Sequence, residues 1–307
     1  LGCQQFDVPL DMDLVTQKQE LWHRIDKRPQ SKVADGDMCP LVRRHNTPIN
    51  STQLQHTDSS AHKSSPTKIR QYEHRMTGHA KQCVDRYLEL SGKSITSLKP
   101  VSTPCIDDHL LPATDFTSKG ELSEQASKIV LKCLYVARIG RADLLWTVNS
   151  LARKVTKWTV ECDKRLHRLI SYIHYTQDHV MISFVGDPPH KCKLAFFVDA
   201  SFAGDLEDSK STTGGMLCLI GPNTFAILCW ICKKQGAVSH SSSEAEIIAL
   251  EACLRMEGLP ALEFWDTVID VFDPLPPQER QKSLAMAAAL PAPRPSKPLN
   301  VFDVDWV

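Results

Sequence analysis

L-A-F-F-V-D-A-S-F-A-G-D, Leu194 to Asp205, followed by D-S-K-S-T-T-G-G, Asp208 to Gly215, and by K-K-Q-G-A-V-S-H-S-S-S-E-A-E-I-I-A-L-E-A, Lys233 to Ala252, is the stretch from which the fold is read. An apolar run of strand character ends in an acid, Asp199. Downstream, the serines Ser241 to Ser243 supply an N-cap to a helical pattern that carries Glu244 and Glu246 in its first turns. A carboxylate that closes a buried strand must be paired, protonated or metal-bound to offset its desolvation. Acids on a strand end and on a helix start are the oxygen donors that hard divalent cations take. Two such ions can clamp both oxygens of a phosphodiester displacement. Glu244 lies two residues before Glu246, about 200° round a helix, so both cannot face one metal. Capping of the helix N-terminus suits Glu244.

Working outward, two more strand-like runs, Gly215 to Ile220 and Phe225 to Ile231, flank the turn signal Gly221-Pro222-Asn223 and predict a hairpin. The pattern from Ser242 to Met256 predicts one helix and that from Leu259 to Phe272 a second. Upstream, three apolar stripes at helical spacing fill Ser127 to Thr176: Ile129, Val130, Cys133, Leu134 and Ala137; then Leu144, Leu145, Val148, Leu151, Ala152 and Val155; then Leu166, Leu169, Ile170 and Ile173. Helical spacing also shows near Leu14 to Ile25, and through Cys83, Val84, Tyr87 and Leu88 up to a stop at Ser91-Gly92. Lys99 to Thr117 holds three prolines and reads as extended linker. Apolar residues are too sparse from about 29 to 68 to order the backbone, and 273–298, with seven prolines, reads as a disordered tail. Leu299 to Val307 is a short apolar run with two acids, Asp303 and Asp305.

The 307 residues carry 36 Lys/Arg and 36 Asp/Glu, so net charge neither favours nor excludes nucleic acid. Between Lys128 and Ser183, ten Lys/Arg face four Asp/Glu, a local excess of +6 of the kind that binds phosphates. Arg165 and Arg168 are candidates there, and Lys210, Ser211 and Thr212 are candidate backbone contacts in the loop before the second strand. Eleven scattered cysteines without a repeated spacing fit a reduced intracellular chain, cytoplasmic or nuclear, better than a disulfide framework. Cys229 and Cys232 form a C-W-I-C, but in a strand those positions point to opposite faces and no second pair exists, so zinc is not expected. No apolar run has the length of a membrane span.

The opening stretch resembles the ribonuclease H domain of Ty1/copia-type retrotransposon Pol polyproteins, whose blocks read D-A-D-W-A-G-D, R-K-S-T-S-G, S-K-K-Q and S-S-T-E-A-E-Y-I-A-L in the same order. Further blocks extend the resemblance upstream. Y-V-A-R-I-G-R-A-D-L-L-W-T-V-N-S-L-A-R, Tyr135 to Arg153, is similar to Y-L-x-x-x-T-R-P-D-I-x-x-A-V-x-x-L-S-R, with Ala142 in place of proline. L-H-R-L-I-S-Y-I, Leu166 to Ile173, is similar to L-K-R-V-L-R-Y-L. L-G-C-Q-Q-F at the start resembles the block that follows the polymerase active site.

The resemblance implies an α/β chain with a mostly helical N-terminal half followed by a partial ribonuclease H-like mixed sheet with helices. Residues 1–126 would be the C-terminal remnant of a reverse transcriptase, 127–189 a helical connection, 190–272 the partial ribonuclease H-like domain and 273–307 the tail. It implies hydrolysis of the RNA strand of an RNA–DNA hybrid with two Mg²⁺ or Mn²⁺ ions, Asp199 bridging them and Glu246 completing one sphere. The partners implied are that hybrid or another nucleic acid and the rest of the Pol polyprotein. The chain departs from the family pattern in three ways. It has no polymerase Tyr-x-Asp-Asp motif. The third and fourth ribonuclease H carboxylates, one in a D-N block, have no counterpart. Asp303 and Asp305 are not followed by Asn and are poor substitutes. The expectation is therefore an incomplete nuclease; the alternative is a non-catalytic remnant that binds nucleic acid through its basic helices.

Overall fold

The computed structural model describes residues 3–26, 68–204 and 208–272. The polar insertion, apart from Lys68, and the Pro-rich tail lie outside the described residues. One six-stranded sheet runs in the order β1-β2-β3-β6-β5-β4. Its strands are β1 (Gln4–Val8), β2 (Arg70–Arg75), β3 (Met181–Val185), β4 (Lys193–Ser201), β5 (Thr212–Gly221) and β6 (Thr224–Lys234). The sheet thus draws strands from both halves of the sequence.

Every neighbouring pair is antiparallel, so the expected mixed sheet is an antiparallel one among the described residues. The reason is connectivity: the two-residue turn between β5 and β6 can only make an antiparallel pair, whereas a parallel pair needs a long crossover. Along β6 the pairing with β5 shifts register between Leu217 and Cys218, where a bulge takes up an extra residue.

The helices are α1 (Met12–Asp26), α2 (Thr77–Ser91), α3 (Ala126–Ile139), α4 (Leu145–Arg153), α5 (Val160–Tyr175), α6 (Ser242–Cys253) and α7 (Leu259–Phe272). α2 stops where the spacing predicts, with Gly92 at φ 65° returning its N–H to the Leu88 carbonyl. The three predicted stripes become α3, α4 and α5, which with α2 bury one core around Tyr87, Ile129, Leu144, Leu151, Leu166 and Ile170. Each fully buried Leu or Ile there contributes about 1.5–3 kcal/mol. α1 lays Val15 and Trp22 over Phe184, Cys218, Ile220 and Phe225, a second core on one sheet face. Between α6 and α7 the chain widens into a π turn, Leu254–Gly258. Pro260 has no N–H to return to Met256, so the α-helical ladder cannot run straight through.

Two acids, a partly buried Asp163 and a fully buried Glu161, hold the helical half together. Asp163 accepts from the backbone N–H groups of Glu121 (2.6 Å) and Leu122 (3.2 Å) and from Trp158 Nε1 (2.7 Å), which ties α5 to the entry of α3. Glu161, with none of its surface exposed, sits 2.6 Å from Lys154 Nζ and 2.6 Å from Arg165 Nε. The Arg165 contact is too bent for a hydrogen bond and acts as an ion pair.

Candidate metal and nucleic-acid site

β4 is an outer strand: among the described residues it pairs with β5 alone. Gly214 stands opposite Asp199 on β5, so no cross-strand side chain covers the carboxylate. Asp199 is exposed. This corrects the expectation of a desolvated strand-end acid, because the apolar run that suggested burial belongs to a strand with one flank open to water.

Glu246 reaches the same place from α6. Ser241 caps that helix by accepting from the Glu244 N–H at 3.1 Å, and Glu244 closes the cap by accepting from the His240 N–H at 2.6 Å. Glu244 is thus a capping residue, and Glu246 is left to face β4. Its Oε1 accepts from the backbone N–H of Ala200 at 3.2 Å, the residue next to Asp199. That N–H points away from β5, into the open flank. By strand alternation Asp199 shares its sheet face with Ala195, on the side of α1, while α6 packs on the other face, where Gly215 leaves room for Cys253 Sγ. The structure therefore brings the two carboxylates to one flank of β4, from opposite faces.

A buried polar cluster fixes α6 against the hairpin, and the sequence reading missed its centre. Gln235, 5% exposed, donates from Nε2 to Thr213 Oγ1 (3.2 Å) and to the Ala245 carbonyl (2.9 Å), and accepts from Ser239 Oγ at 3.1 Å. Its own N–H goes to the Ser211 carbonyl at 2.8 Å. One side chain thereby locks the K-K-Q block, the serine loop and the residue before Glu246. The signal was the uncharged glutamine that ends two lysines at the close of a strand.

The loop candidates fare differently. Ser211 is fully buried and its Oγ accepts from the Ala203 N–H at 3.1 Å, which helps hold Ala203 at φ 48°. It cannot present its hydroxyl to a nucleic-acid backbone, and its role is to shape the turn after Asp199. Thr212 is half-buried in β5, opposite Ser201, on the face that Asp199 occupies. Lys210 Nζ lies 3.3 Å from Asp208 Oδ2, and Lys234 Nζ lies 2.6 Å from Asp208 Oδ1. The Lys234 hydrogen bond is the main cause that lowers the Asp208 pKa.

The basic helices show less free charge than their sequence suggests. Arg165 is 5% exposed and spent on Glu161 and Asp108, and Arg168 donates to the Thr103 carbonyl and hydroxyl, each at 3.0 Å. Lys164 pairs with Asp115, Arg141 with Asp143 and Lys154 with Glu161. Asp108 and Asp115 come from the linker, outside the segment whose charges were counted. Burial removes Arg165 as a phosphate contact, because its guanidinium already holds two carboxylates.

Cys229 and Cys232 lie in β6 and face opposite ways. Cys229 Sγ lies 3.8 Å from Glu257 Oε2, and Cys232 packs on the helical core. Burial, with Glu257 nearby, pushes the Cys229 thiol up to about 11. All ten cysteines among the described residues are free.

The donor chemistry at β4 suits Mg²⁺ or Mn²⁺, since both candidates offer carboxylate oxygens. The number is short: among the described residues no group of three His, Cys, Asp or Glu side chains could hold a metal ion. One Glu246 oxygen is moreover engaged by Ala200. The residues present do not fit a pair of ions.

An outer strand and a capped helix that carry two carboxylates to one flank of an antiparallel sheet, together with a helical core, define an α/β chain. The chain is 31% identical over 157 residues to the retrovirus-related Pol polyprotein from transposon RE2 of Arabidopsis thaliana, a match that covers 51% of this chain and 10% of that protein. It is 27% identical over 173 residues to the Pol polyprotein from transposon TNT 1-94 of Nicotiana tabacum, covering 54% of this chain and 12% of the relative. It is also 30% identical over 118 residues to secreted RxLR effector protein 161 of Plasmopara viticola, covering 38% of this chain and 78% of that protein. No protein-family model matches the chain, and no solved structure does. Over about half its length the chain is thus similar to retrovirus-related Pol polyproteins from transposons. The match spans about a tenth of the length of the Pol polyproteins. Among the described residues no helix is long and apolar enough to cross a membrane.

Proposed function

We propose that the chain forms the helical connection and the first half of a ribonuclease H-like domain of a copia-type Pol polyprotein. Asp199 and Glu246 are then two of the carboxylates that face the RNA strand of an RNA–DNA hybrid, recognised by groove shape and 2′-hydroxyls rather than by bases. The observation that carries this reading is the hydrogen bond from the Ala200 N–H to Glu246, which sets a helix carboxylate beside the strand carboxylate that precedes it. The ordered motif blocks and the relatives' Pol polyprotein names support it. The chain's own residues supply two acids on an open flank, a buried Gln235 cluster that positions α6, and a tight turn after β4. The further ligands that two ions require are absent among the described residues, so hydrolysis is assigned to a larger assembly with the rest of the Pol polyprotein.

The reading is tested by titrating Mn²⁺ into the chain and following amide signals by NMR. Weak binding, on the order of a millimolar, should broaden residues around Asp199 to Ser201 and Glu244 to Ile247 first. Asp199→Asn with Glu246→Gln should abolish that broadening and leave the fold intact, because both side chains are exposed. Broadening centred elsewhere, or unchanged in the double variant, would sink the assignment.

A further inference from the structure

A cleft of about 550 Å³ opens where β6 parts from β3. The two strands pair at Phe184 and Phe225, whereas β6 runs on to Lys234. Cys232 O accepts from Asn149 Nδ2 at 2.8 Å, so Cys232 turns its main chain away from β5. By the alternation of an antiparallel strand, Trp230 turns the same way. The N–H groups of both residues therefore open on the cleft and not on β5. Sheet flanks of this kind form concavities that take anions.

The charges and one ring say which anion. Arg138 and Lys233 line the cleft, are exposed, and make no ion pair among the described residues. His74 adds no charge at neutral pH, because burial lowers its pKa. The one acid of the lining, Glu257, has its Oε2 3.8 Å from Cys229 Sγ. Cys229 and Lys233 are four strand positions apart, about 13 Å, so carboxylate and ammonium mark different ends. Near the acid end stands Trp230, half-buried, its indole fixed by a 3.0 Å hydrogen bond from Nε1 to the Ala137 carbonyl. A fixed indole beside a carboxylate suits a flat ring that carries an amino group. An ammonium beside main-chain N–H groups suits a phosphate. Inorganic phosphate would leave the ring wall empty, and a fatty acid would offer Glu257 no donor.

We infer that this cleft binds one nucleotide whose base carries an exocyclic amino group, with its phosphate toward Lys233 and Cys232 and its base between Trp230 and Glu257. The volume is that of ordinary small-ligand sites, which run to about 300–1,000 Å³. The cleft is separate from the two carboxylates. Asp199 stands opposite Gly214, and Gly214 opposite Cys232, so two strand spacings, about 10 Å, part the outer strand from the cleft flank. The cleft can hold a nucleotide whether or not Asp199 and Glu246 bind metal.

The test titrates cytidine monophosphate into the full chain and follows amide signals by NMR. The Trp230 and Cys232 amides and the Trp230 indole signal should shift first, with a dissociation constant on the order of a millimolar. Uridine monophosphate, which lacks the amino group, and inorganic phosphate should each bind several-fold more weakly. Arg138→Ala with Lys233→Ala should weaken binding of cytidine monophosphate roughly tenfold or more. The β4–β5 amides should keep their positions in that variant, since both side chains are exposed. A short oligocytidylate identifies the source of the ligand. Binding tighter than the monomer's at the same amides marks a nucleotide within a strand, and equal or weaker binding marks a free nucleotide. Inorganic phosphate as tight as the nucleotide, or equal affinity for the two nucleotides, would overturn the assignment. So would shifts centred on Asp199 to Ser201, or a double variant that binds like the parent chain.

Discussion

Replacing Glu161 by Ala should lower the stability of the folded chain by about 3–5 kcal/mol, the usual loss when one partner of a buried ion pair is removed. Glu161 is completely buried and holds Lys154 and Arg165, both at 2.6 Å. Lys154 is partly exposed and can turn to water, but Arg165 is buried, and its guanidinium would keep only Asp108. The free energy lost is therefore that of an under-compensated buried cation, with a cavity term added. Domains are stable by only about 5–15 kcal/mol, so the variant should melt on the order of 10 °C lower. The cause is checked by a second variant, Glu161→Met with Arg165→Met, which removes both charges at similar volume. It should recover most of the loss in a denaturant titration, since buried pairs replaced by apolar side chains are often neutral. A double variant as unstable as Glu161→Ala would mean that packing, not charge, explains the effect.

Gln235→Leu should cost about 3 kcal/mol or more and act locally. The substitution keeps the volume but strands three buried partners, Thr213 Oγ1, the Ala245 carbonyl and Ser239 Oγ. Each unanswered buried group costs about 1–3 kcal/mol. The core around α2 to α5 does not include this cluster, so opening should be confined to α6 and the end of the hairpin. Hydrogen exchange at Ala200 is the sharpest reporter, because its N–H is held by Glu246 and Glu246 is positioned through Ala245. Faster exchange at Ala200 with α3 and α5 unchanged is the expected pattern. No change at Ala200 would separate Gln235 from the placement of Glu246.

How much of this was legible in the sequence depends on whether the cause was local. The stripes of α3, α4 and α5, the Gly92 stop, the β5–β6 turn and the bounds of α7 follow from periodicity and turn chemistry within a few residues. β1, β2 and β3 did not show themselves as strands. Gln4–Val8 is almost wholly exposed and polar, and Arg70–Arg75 buries only Gln71 fully, so neither alternates. They are strands because of partners far along the chain, with Gln4 opposite Arg75 and Arg70 opposite Val185. The same limit applies to charge. A count over 128–183 cannot see that Asp108 and Asp115 arrive from the linker to neutralise Arg165 and Lys164. Asp199 and Glu246 are singled out in the sequence because motif order survives without any knowledge of packing. The exposure of Asp199 was not foreseen, because whether a strand lies at the rim of a sheet depends on every other strand.

The central claim is that Asp199 and Glu246 form part, and only part, of a nuclease site. Incubating the purified chain with a labelled RNA–DNA hybrid in Mg²⁺ or Mn²⁺ tests it most directly. Two exposed carboxylates with no third ligand among the described residues should leave the RNA strand intact over hours, at any ion concentration that keeps the chain folded. Cleavage of the RNA strand that disappears in Asp199→Asn would contradict the account and show that the site is complete.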